Sequence, residues 1–212
     1  MKKTFLFFTI FCVANIANSQ DFRLGISVNP IIGWISEDDV SIESNGATFG
    51  FEGGLNIENY FANNYAFNTG IKLSSIGGKL KYNQPYTSDE ISLVVQDEVK
   101  YKMQYITVPL GLKLRTNQMG YFTWYALLGF SPQVNIGAKA AVDGRSDDIN
   151  VQKEVGLFNV SYHIGGGLEY GIGGNTALNF GIIYNNSFVD ILPDQADKER
   201  LNFITFQVGV IF

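Results

Sequence analysis

The sequence has little charge, few prolines and almost no cysteine. Charged residues make up 17% of its 212 positions, prolines number 5, and Cys12 is the single cysteine. The net charge of -5 provides no basic surface of the kind that binds nucleic acid. After the first twenty residues no apolar run approaches the roughly 20 residues that a membrane-spanning helix needs. If this chain crosses a membrane, it must do so with strands.

Glycine and aromatic residues, by contrast, are abundant. The chain has 23 glycines, and aromatic residues make up 14% of it. Together with the low charge, this composition favours a β protein whose outer face meets lipid rather than water. The length suits a single domain or one small barrel.

The N-terminus has the layout of a secretory signal peptide. A positive pair, an apolar stretch and two small residues follow one another as Lys2–Lys3, Thr4–Ala14, Ala17 and Ser19. The small residues fit the -3 and -1 positions of a cleavage site before Gln20. We therefore predict a cleaved signal peptide over residues 1–19 and one barrel domain over residues 20–212.

Cys12 falls inside this predicted signal peptide. A lipoprotein would need a small residue before the cysteine, but Phe11 stands there. The cysteine is therefore expected to leave with the signal peptide, and the mature chain is expected to contain no disulfide.

The segment Asn202–Phe212 sets the pattern for the rest of the chain. Its apolar residues occupy one parity and its polar or small residues the other: Ile204, Phe206, Val208, Val210 and Phe212 against Thr205, Gln207 and Gly209. Because strand side chains alternate between two faces, one face is continuously apolar. An exposed apolar strand at the edge of a sheet promotes aggregation in water. A strand that closes a barrel in a lipid bilayer is not exposed in this way. The final phenylalanine resembles the terminal signature of Gram-negative outer-membrane barrels.

Eight alternating segments can be drawn along the mature chain. They are Phe22–Ile35, Gly46–Asn59, Tyr65–Tyr82, Glu98–Arg115, Tyr121–Gly137, Glu154–Tyr170, Thr176–Phe188 and Asn202–Phe212. In the fourth segment the apolar parity changes, which predicts a bulge or a twist near Gln104. The connections after segments two, four and six are short, and those after one, three, five and seven are long and acidic.

This alternation of connection length is typical of outer-membrane barrels, and an even strand number places both termini in the periplasm. We therefore predict an all-β fold: an eight-stranded antiparallel up-and-down transmembrane β-barrel with short periplasmic turns and long extracellular loops. A lipocalin-like soluble barrel is the alternative, but the polar face is mainly Gly, Ser, Thr and Asn, which suits a filled interior better than a water-facing coat. Aromatic girdles at the membrane interfaces are predicted to include Trp34, Tyr65, Trp124 and Tyr170.

Several of these segments resemble one family of outer-membrane proteins. The run Y-I-T-V-P-L-G-L-K-L at Tyr105–Leu114 and the glycine-rich strands containing L-L-G-F and G-G-G-L-E-Y are similar to the PorT-type outer-membrane β-barrel family. The resemblance covers essentially all of the mature chain. It implies an outer-membrane barrel and, since some members serve type IX protein secretion, an accessory role in secretion. The chain is expected to end with its eighth strand, without a peptidoglycan-binding domain.

Five charged residues fall on the inferred inner face: Arg23, Glu52, Lys72, Lys113 and Glu169. They can be interpreted as an ion path or gate, or as a structural network that neutralises buried charge. The interior of an eight-stranded barrel is almost filled by side chains, which favours the structural network.

His163 is the only histidine, and Ser161 and Glu169 share its face. These are the residue types of a catalytic triad, but residues two apart on a strand lie along one line, and no nucleophile motif or oxyanion hole accompanies them. We interpret His163 as a lumen-packing residue. The sequence predicts no catalytic residue, no cofactor or cofactor-binding residue, and no metal ligand.

Acidic loop groups and glycine runs are the remaining motifs. Glu37–Asp39 and Asp143–Asp148 lack the ligand spacing of a calcium loop and are interpreted as solvated charge. Gly165–Gly167 and Gly173–Gly174 precede no predicted helix, so they are not phosphate loops. They are expected to relieve crowding in the barrel and to shape a turn.

These observations predict a non-enzymatic, multi-pass protein of the outer membrane. Its role is expected to be structural or interactive, through the outer loops, and by resemblance accessory to secretion. A narrow pore for small solutes and a lipid-modifying barrel enzyme are the alternatives. The expected partners are outer-membrane lipid and lipopolysaccharide, together with envelope or secretion-system proteins, but not nucleic acid.

Overall fold

The computed structural model describes residues 22–37, 42–88, 90–145, 148–192 and 198–212. The predicted signal peptide and Cys12 lie outside these residues. In the described residues the chain forms strands β1 (Phe22–Ser36), β2 (Ile42–Ala62), β3 (Tyr65–Tyr82), β4 (Tyr86–Thr87), β5 (Ser92–Leu93), β6 (Glu98–Thr107), β7 (Leu110–Arg115), β8 (Phe122–Val142), β9 (Ile149–Asn150), β10 (Phe158–Gly173), β11 (Thr176–Ser187) and β12 (Arg200–Ile211). Among them, no helix is long and apolar enough to cross a membrane.

The long strands close into one antiparallel barrel. Each pairs with its neighbour in the chain, and β12 pairs with β1 to complete the circle. β6 and β7 together count as one of the eight strands of the barrel, because both lie between β3 and β8. The predicted eight-stranded up-and-down barrel is confirmed. We call its two ends the turn end, where β2–β3, β7–β8 and β10–β11 connect, and the loop end.

The barrel has its apolar face outside and its polar face inside. Large apolar side chains on the outer face are exposed, and Phe49 reaches 84% exposure. Asparagine, glutamine, serine and ionised side chains are buried in the lumen. A soluble barrel would show the opposite arrangement, so this inversion defines a lipid-facing outer wall.

β6 and β7 are separated at Val108 and Pro109. Proline has no amide hydrogen, so it interrupts the ladder at this point. The predicted irregularity near Gln104 is also present: the β6–β8 register shifts between Gln104 and Tyr105, and Ile136 of β8 is the extra residue. The side chains of β6 nevertheless alternate between the lumen and the outer face along the whole strand. The bulge therefore lies in the partner strand.

The apolar residues Val99, Tyr101 and Met103 explain the change of parity in the sequence. They point into the lumen and are buried. A largely polar interior was expected along the whole barrel, and this expectation is wrong at the loop end, where a hydrophobic cluster fills the lumen. Its strand members include Ile31, Ile35, Ile76, Leu80, Tyr82, Val99, Tyr101, Met103, Tyr105, Ala138, Ala140, Val142, Leu201 and Phe203.

Two strands extend further toward the loop end than their sequence segments. β2 begins at Ile42, whose side chain is buried in the hydrophobic cluster, so the β1–β2 connection is only residues 37–41. The prediction of a long connection there is wrong. β8 continues to Val142, because Ala138, Ala140 and Val142 alternate inward against the same cluster.

The other loops at this end fold into a cap. β4 and β5 form a hairpin within residues 83–97, and β9 pairs with the extended part of β8. Apolar residues of these loops pack onto the hydrophobic cluster: Ile91, Leu93, Val151, Val155, Ile191 and Leu192. The cap therefore continues the core of the barrel instead of standing free in solvent.

The predicted girdle residues lie near strand ends on the outer wall. Trp34 is near the loop end and stacks with Tyr184, with ring centroids 6.3 Å apart. Tyr65 and Tyr170 lie at the turn end and contact other aromatic rings. Trp124 is exposed near the same end. Aromatic side chains thus mark both ends of the wall, where the interfaces of a bilayer fall.

Candidate functional site in the barrel lumen

A cluster of four ionised side chains crosses the lumen near the turn end. Lys113 lies between two carboxylates: it contacts Glu58, and its Nζ is 2.5 Å from Oε1 of Glu169. Arg23 Nη1 is 2.8 Å from Glu169 Oε2 and 3.8 Å from Glu58 Oε2. We call these four residues the charge cluster. Two cations neutralise two anions in a buried site, which is the arrangement that buried charge requires.

The predicted inner-face residues Arg23, Lys113 and Glu169 are thus brought together, and Glu58 completes them. Glu58 was not singled out in the sequence, although it has the same parity as Glu52 and Asn56 on β2. Continuing that parity to the end of the strand would have found it. Lys113 also lies 4.3 Å from the ring centroid of Tyr125, which adds a cation–π contact.

Tyr60 and Arg115 extend the charge cluster toward the turn end. The Tyr60 hydroxyl donates to Glu58 Oε2 at 2.6 Å and accepts a hydrogen bond from Arg115 Nη1 at 2.7 Å. Neither residue was identified from the sequence as a site residue. Arg115 has the same parity as Lys113, so its inward direction was available from the pattern.

A cavity of about 770 Å³ opens beside these residues at the turn end. Arg23, Tyr60, Arg115 and Glu169 line it, together with the β10–β11 turn. This turn contains Gly173 and Gly174, whose φ angles of 135° and 57° favour glycine. The prediction that the Gly173–Gly174 pair shapes a turn is confirmed.

The remaining two predicted charges form a second group at mid-lumen. Lys72 Nζ donates to Glu52 Oε1 at 2.9 Å, and Asn29 Nδ2 donates to the same oxygen at 2.8 Å. Glu52 and Lys72 line a small cavity of about 20 Å³. That volume holds about one water molecule, so the mid-lumen offers no room for a substrate.

His163 packs against a wall of glycines beside this small cavity. Its Nδ1 lies 2.9 Å from the Ser131 hydroxyl. A Cβ atom on Gly111 or Gly129 would lie 2.8 Å from His163 Nε2, so the ring occupies space that only glycine leaves open. The interpretation of His163 as a lumen-packing residue agrees with these contacts.

The Ser161, His163 and Glu169 set does not assemble. Ser161 has no hydrogen-bond partner for its hydroxyl within the described residues, and Glu169 bonds to Arg23 and Lys113. His163 instead pairs with Ser131 from the neighbouring strand. The sequence could not show this partner, because the β8–β10 register depends on the assembled sheet.

Tyr125 fills the lumen above the Gly165–Gly167 run. Its hydroxyl donates to Asn179 Oδ1 at 2.7 Å and lies 3.2 Å from Gln207 Oε1. A Cβ atom on Gly167 would lie 2.6 Å from this hydroxyl. Gly167 therefore relieves crowding inside the barrel, as the sequence predicted.

The acidic loop groups are described only in part. Asp38, Asp39 and positions 146–147 lie outside the described residues. Asp143 accepts a hydrogen bond from the next backbone amide, of Gly144, at 3.1 Å. Among the residues that the structure describes, no three His, Cys, Asp or Glu side chains converge to hold a metal ion.

The closed antiparallel barrel, its apolar outer wall and its polar lumen define a class, the integral β-barrel proteins of the outer membrane. Within that class the chain belongs to the family described as the outer membrane protein beta-barrel domain, whose sequence profile matches residues 17–210. The protein is therefore located in the outer membrane, which its strands cross several times. No curated protein sequence matches the chain.

Solved outer-membrane barrels are similar to this chain in structure. Neisserial surface protein A is 12% identical, with a TM-score of 0.51 over 89% of this chain and 95% of that one. OprG from Pseudomonas aeruginosa is 13% identical, with a TM-score of 0.48 over 91% and 94%. The protease OmpT from Escherichia coli is 12% identical, with a TM-score of 0.45 over 92% and 97%. At these identities the likeness concerns the fold alone.

Proposed function

We propose that this protein is a non-enzymatic outer-membrane barrel that binds a partner protein of the cell envelope through its loop-end cap. The observation that supports this role is the packing of the cap. A surface that is ordered before binding loses less conformational entropy when the partner arrives. Loops with no binding role need no such packing, since solvated loops are the common case.

Polar contacts join the cap loops to one another. Arg145 Nη2 donates to the backbone oxygen of Ser92 at 2.8 Å, and the Tyr86 hydroxyl donates to Glu154 Oε2 at 3.0 Å. Both contacts connect the β4–β5 hairpin with residues 143–157. The hairpin is therefore held in one position above the hydrophobic cluster.

An apolar pair remains uncovered beside this hairpin. Val94 is 62% exposed and Val95 is 48% exposed, whereas the neighbouring Leu93 is buried in the core. The turn that presents them is fixed, because Val94 N donates to Asp97 Oδ2 at 3.0 Å and Asp97 N donates to Val94 O at 3.1 Å. Exposed apolar groups on an ordered loop are typical contact points for a protein partner.

A photo-crosslinking side chain at Val95 tests this role in intact cells. We expect one specific envelope protein to be captured, and we expect Val94→Asp to abolish the capture while the folded barrel keeps its heat-modifiable mobility on a gel. A crosslinker at Asn175, at the turn end, is the matched control. Capture that is equal at both positions, or that survives Val94→Asp, would contradict the proposal.

Secretion is the specific process that the PorT-type resemblance suggests for such a partner. This finer proposal has the resemblance as its only support. It requires that the captured protein be a component of a secretion system and that deletion of the gene reduce export of secreted cargo. Normal export in the deletion strain would limit the protein to a structural or other interactive role.

The polar half of the lumen supports a second candidate, a narrow pore. Against it, the hydrophobic cluster fills the loop-end half of the lumen with buried side chains such as Tyr105, Met103 and Phe203. We therefore expect the purified protein to be silent in planar lipid bilayers. Regular conductance steps would favour the pore.

A further inference from the structure

We propose that the turn-end cavity is a binding site for a single oxyanion group, a carboxylate or a phosphate, with Arg115 as the residue that receives it. The site is at the opposite end of the barrel from the cap, so it is independent of the partner surface proposed above. It faces the periplasm, because the short turns lie on that side of an outer-membrane barrel.

The described cations at the turn end of the lumen outnumber the anions by one. Glu58 and Glu169 are matched by Lys113 and Arg23, so the charge cluster is neutral by itself. Arg115 is the third cation at this end, and it forms no ion pair with any described residue. A cation in a partly buried site is stabilised by an anion, and both carboxylates of the charge cluster are paired with Lys113 and Arg23 rather than with Arg115.

The Arg115 guanidinium is held in a fixed orientation by Tyr60. Nη1 donates to the Tyr60 hydroxyl, and the guanidinium carbon lies 4.9 Å from the centroid of the Tyr60 ring. Tyr60 therefore fixes the plane of the group. Nε is buried and has no acceptor among the described residues. Since this buried Nε does not face the cavity, an oxyanion there meets the two Nη nitrogens, which can also donate two hydrogen bonds to a carboxylate or a phosphate.

The cavity beside Arg115 has the size of a small-molecule site. Its volume of about 770 Å³ lies within the range of roughly 300–1,000 Å³ that small-molecule sites occupy. Its polar lining includes the neutral residues Asn63, Gln118 and Thr123 together with the ion-paired Arg23 and Glu169. The aromatic rings of Tyr121 and Tyr170 also contribute to its wall. The lining therefore suits a ligand with one oxyanion and an apolar or aromatic portion.

Binding of defined probes to the full-length protein in nanodiscs tests this site. The probes are the tripeptide alanyl-alanyl-phenylalanine with a free carboxylate, its C-terminal amide, and inorganic phosphate. We expect the free acid to bind and to shift the Arg115 Nε–H resonance in an NMR spectrum, and the amide to bind at least about tenfold more weakly. Binding of phosphate as well would identify the oxyanion itself as the determinant, whereas binding of the tripeptide alone would identify a carboxylate ligand.

Arg115→Gln and Arg145→Gln form the matched pair of variants. Arg145 is at the loop end, where it contacts Ser92 and Asp97. We expect Arg115→Gln to weaken binding of the free acid about tenfold or more and Arg145→Gln to leave it unchanged, since a hydrogen bond to a charged group contributes about 1.5–3 kcal/mol. Heat-modifiability on a gel verifies that both variants are folded.

Three results would overturn the proposal. The first is a wild-type protein that binds neither the free acid nor phosphate. The second is equal binding of the free acid and its amide. The third is unchanged binding in a folded Arg115→Gln variant. None of these results bears on capture of a partner at Val95, so the two proposals fail separately.

Discussion

Lys113 shows how one residue can hold the turn end of the lumen together. It is nearly inaccessible to solvent, and it contacts two carboxylates from two other strands, Glu58 on β2 and Glu169 on β10. Without this partner, Arg23 would be the only cation left to pair with the two buried carboxylates. The ring of Tyr125 is the third contact of the ammonium group. The residue joins strands that are distant in the sequence.

Lys113→Met is expected to destabilise the barrel by about 3–5 kcal/mol, because it leaves two buried carboxylates with a single cation. Equilibrium unfolding in urea, in lipid vesicles, measures the change. Lys139→Met is the control, since Lys139 is exposed on the outer face of β8, and its effect should stay within about 0.5 kcal/mol. Equal effects of the two substitutions would show that the charge cluster contributes nothing to stability.

Gly167 illustrates a second residue-scale constraint, the space that large lumen side chains take. In Gly167→Ala the new Cβ would lie 2.0 Å from the backbone oxygen of Phe180 on the neighbouring strand and 2.6 Å from the Tyr125 hydroxyl. We expect a loss of about 1–3 kcal/mol from overpacking, measured by the same unfolding experiment. In the control Gly53→Ala, the nearest atom, Ser27 O, is 3.7 Å away. A Gly167→Ala variant as stable as this control would contradict the assignment.

At the scale of elements, the β4–β5 hairpin is fixed partly by the Tyr86–Glu154 hydrogen bond. Burial, followed by the hydrogen bond to Glu154 and its negative charge, raises the pKa of Tyr86 from 10.0 to about 12. Because the folded pKa lies above the unfolded pKa, the stability linked to this group is present below pH 10. It is lost as the pH rises through about 12.

Ultraviolet titration measures this shift directly. The difference in phenolate absorbance between the wild type and Tyr86→Phe should titrate near pH 12. In Glu154→Gln the midpoint should fall toward the ordinary value of 10, because the negative partner is gone. A midpoint near 10 in the wild-type protein would show that the hairpin does not dock through Tyr86.

The sequence predicted the strands better than it predicted which side chains fill the lumen and what they contact. The strict alternation in segments such as Phe206–Val210, together with a polar face made mainly of Gly, Ser, Thr and Asn, predicted the lipid-facing wall. In Val99–Tyr105 the apolar side chains point inward, and alternation cannot tell a lipid-facing apolar row from one that fills a lumen. The parity of Lys113 and Glu169 placed them inside, but their contacts depend on register and closure, which come from the assembled barrel.

At the scale of the whole molecule, the barrel has two unlike ends, a packed cap and an open charged cavity. This asymmetry makes the orientation in the membrane testable with single cysteines in a Cys12→Ser background. Val95→Cys should react with a membrane-impermeant maleimide on intact cells, whereas Asn175→Cys should react only after the outer membrane has been permeabilised. The opposite labelling pattern would place the cap in the periplasm and would overturn the assignment of the loop end to the exterior.

The charge cluster also constrains the order in which the protein can assemble. Its members come from β1, β2, β7 and β10, and Arg23 and Glu169 are 146 residues apart in the chain. The β1–β2 hairpin contains one cation and one anion, Arg23 and Glu58, but Lys113 and Glu169 lie on β7 and β10. A partly inserted sheet without β10 therefore carries one unneutralised cation of the cluster at membrane depth, which is costly. The first intermediate in which all four charges are paired is the one in which β10 has joined the sheet and β1 has closed on β12. Insertion of this chain should therefore be a late, cooperative event rather than a stepwise addition of hairpins.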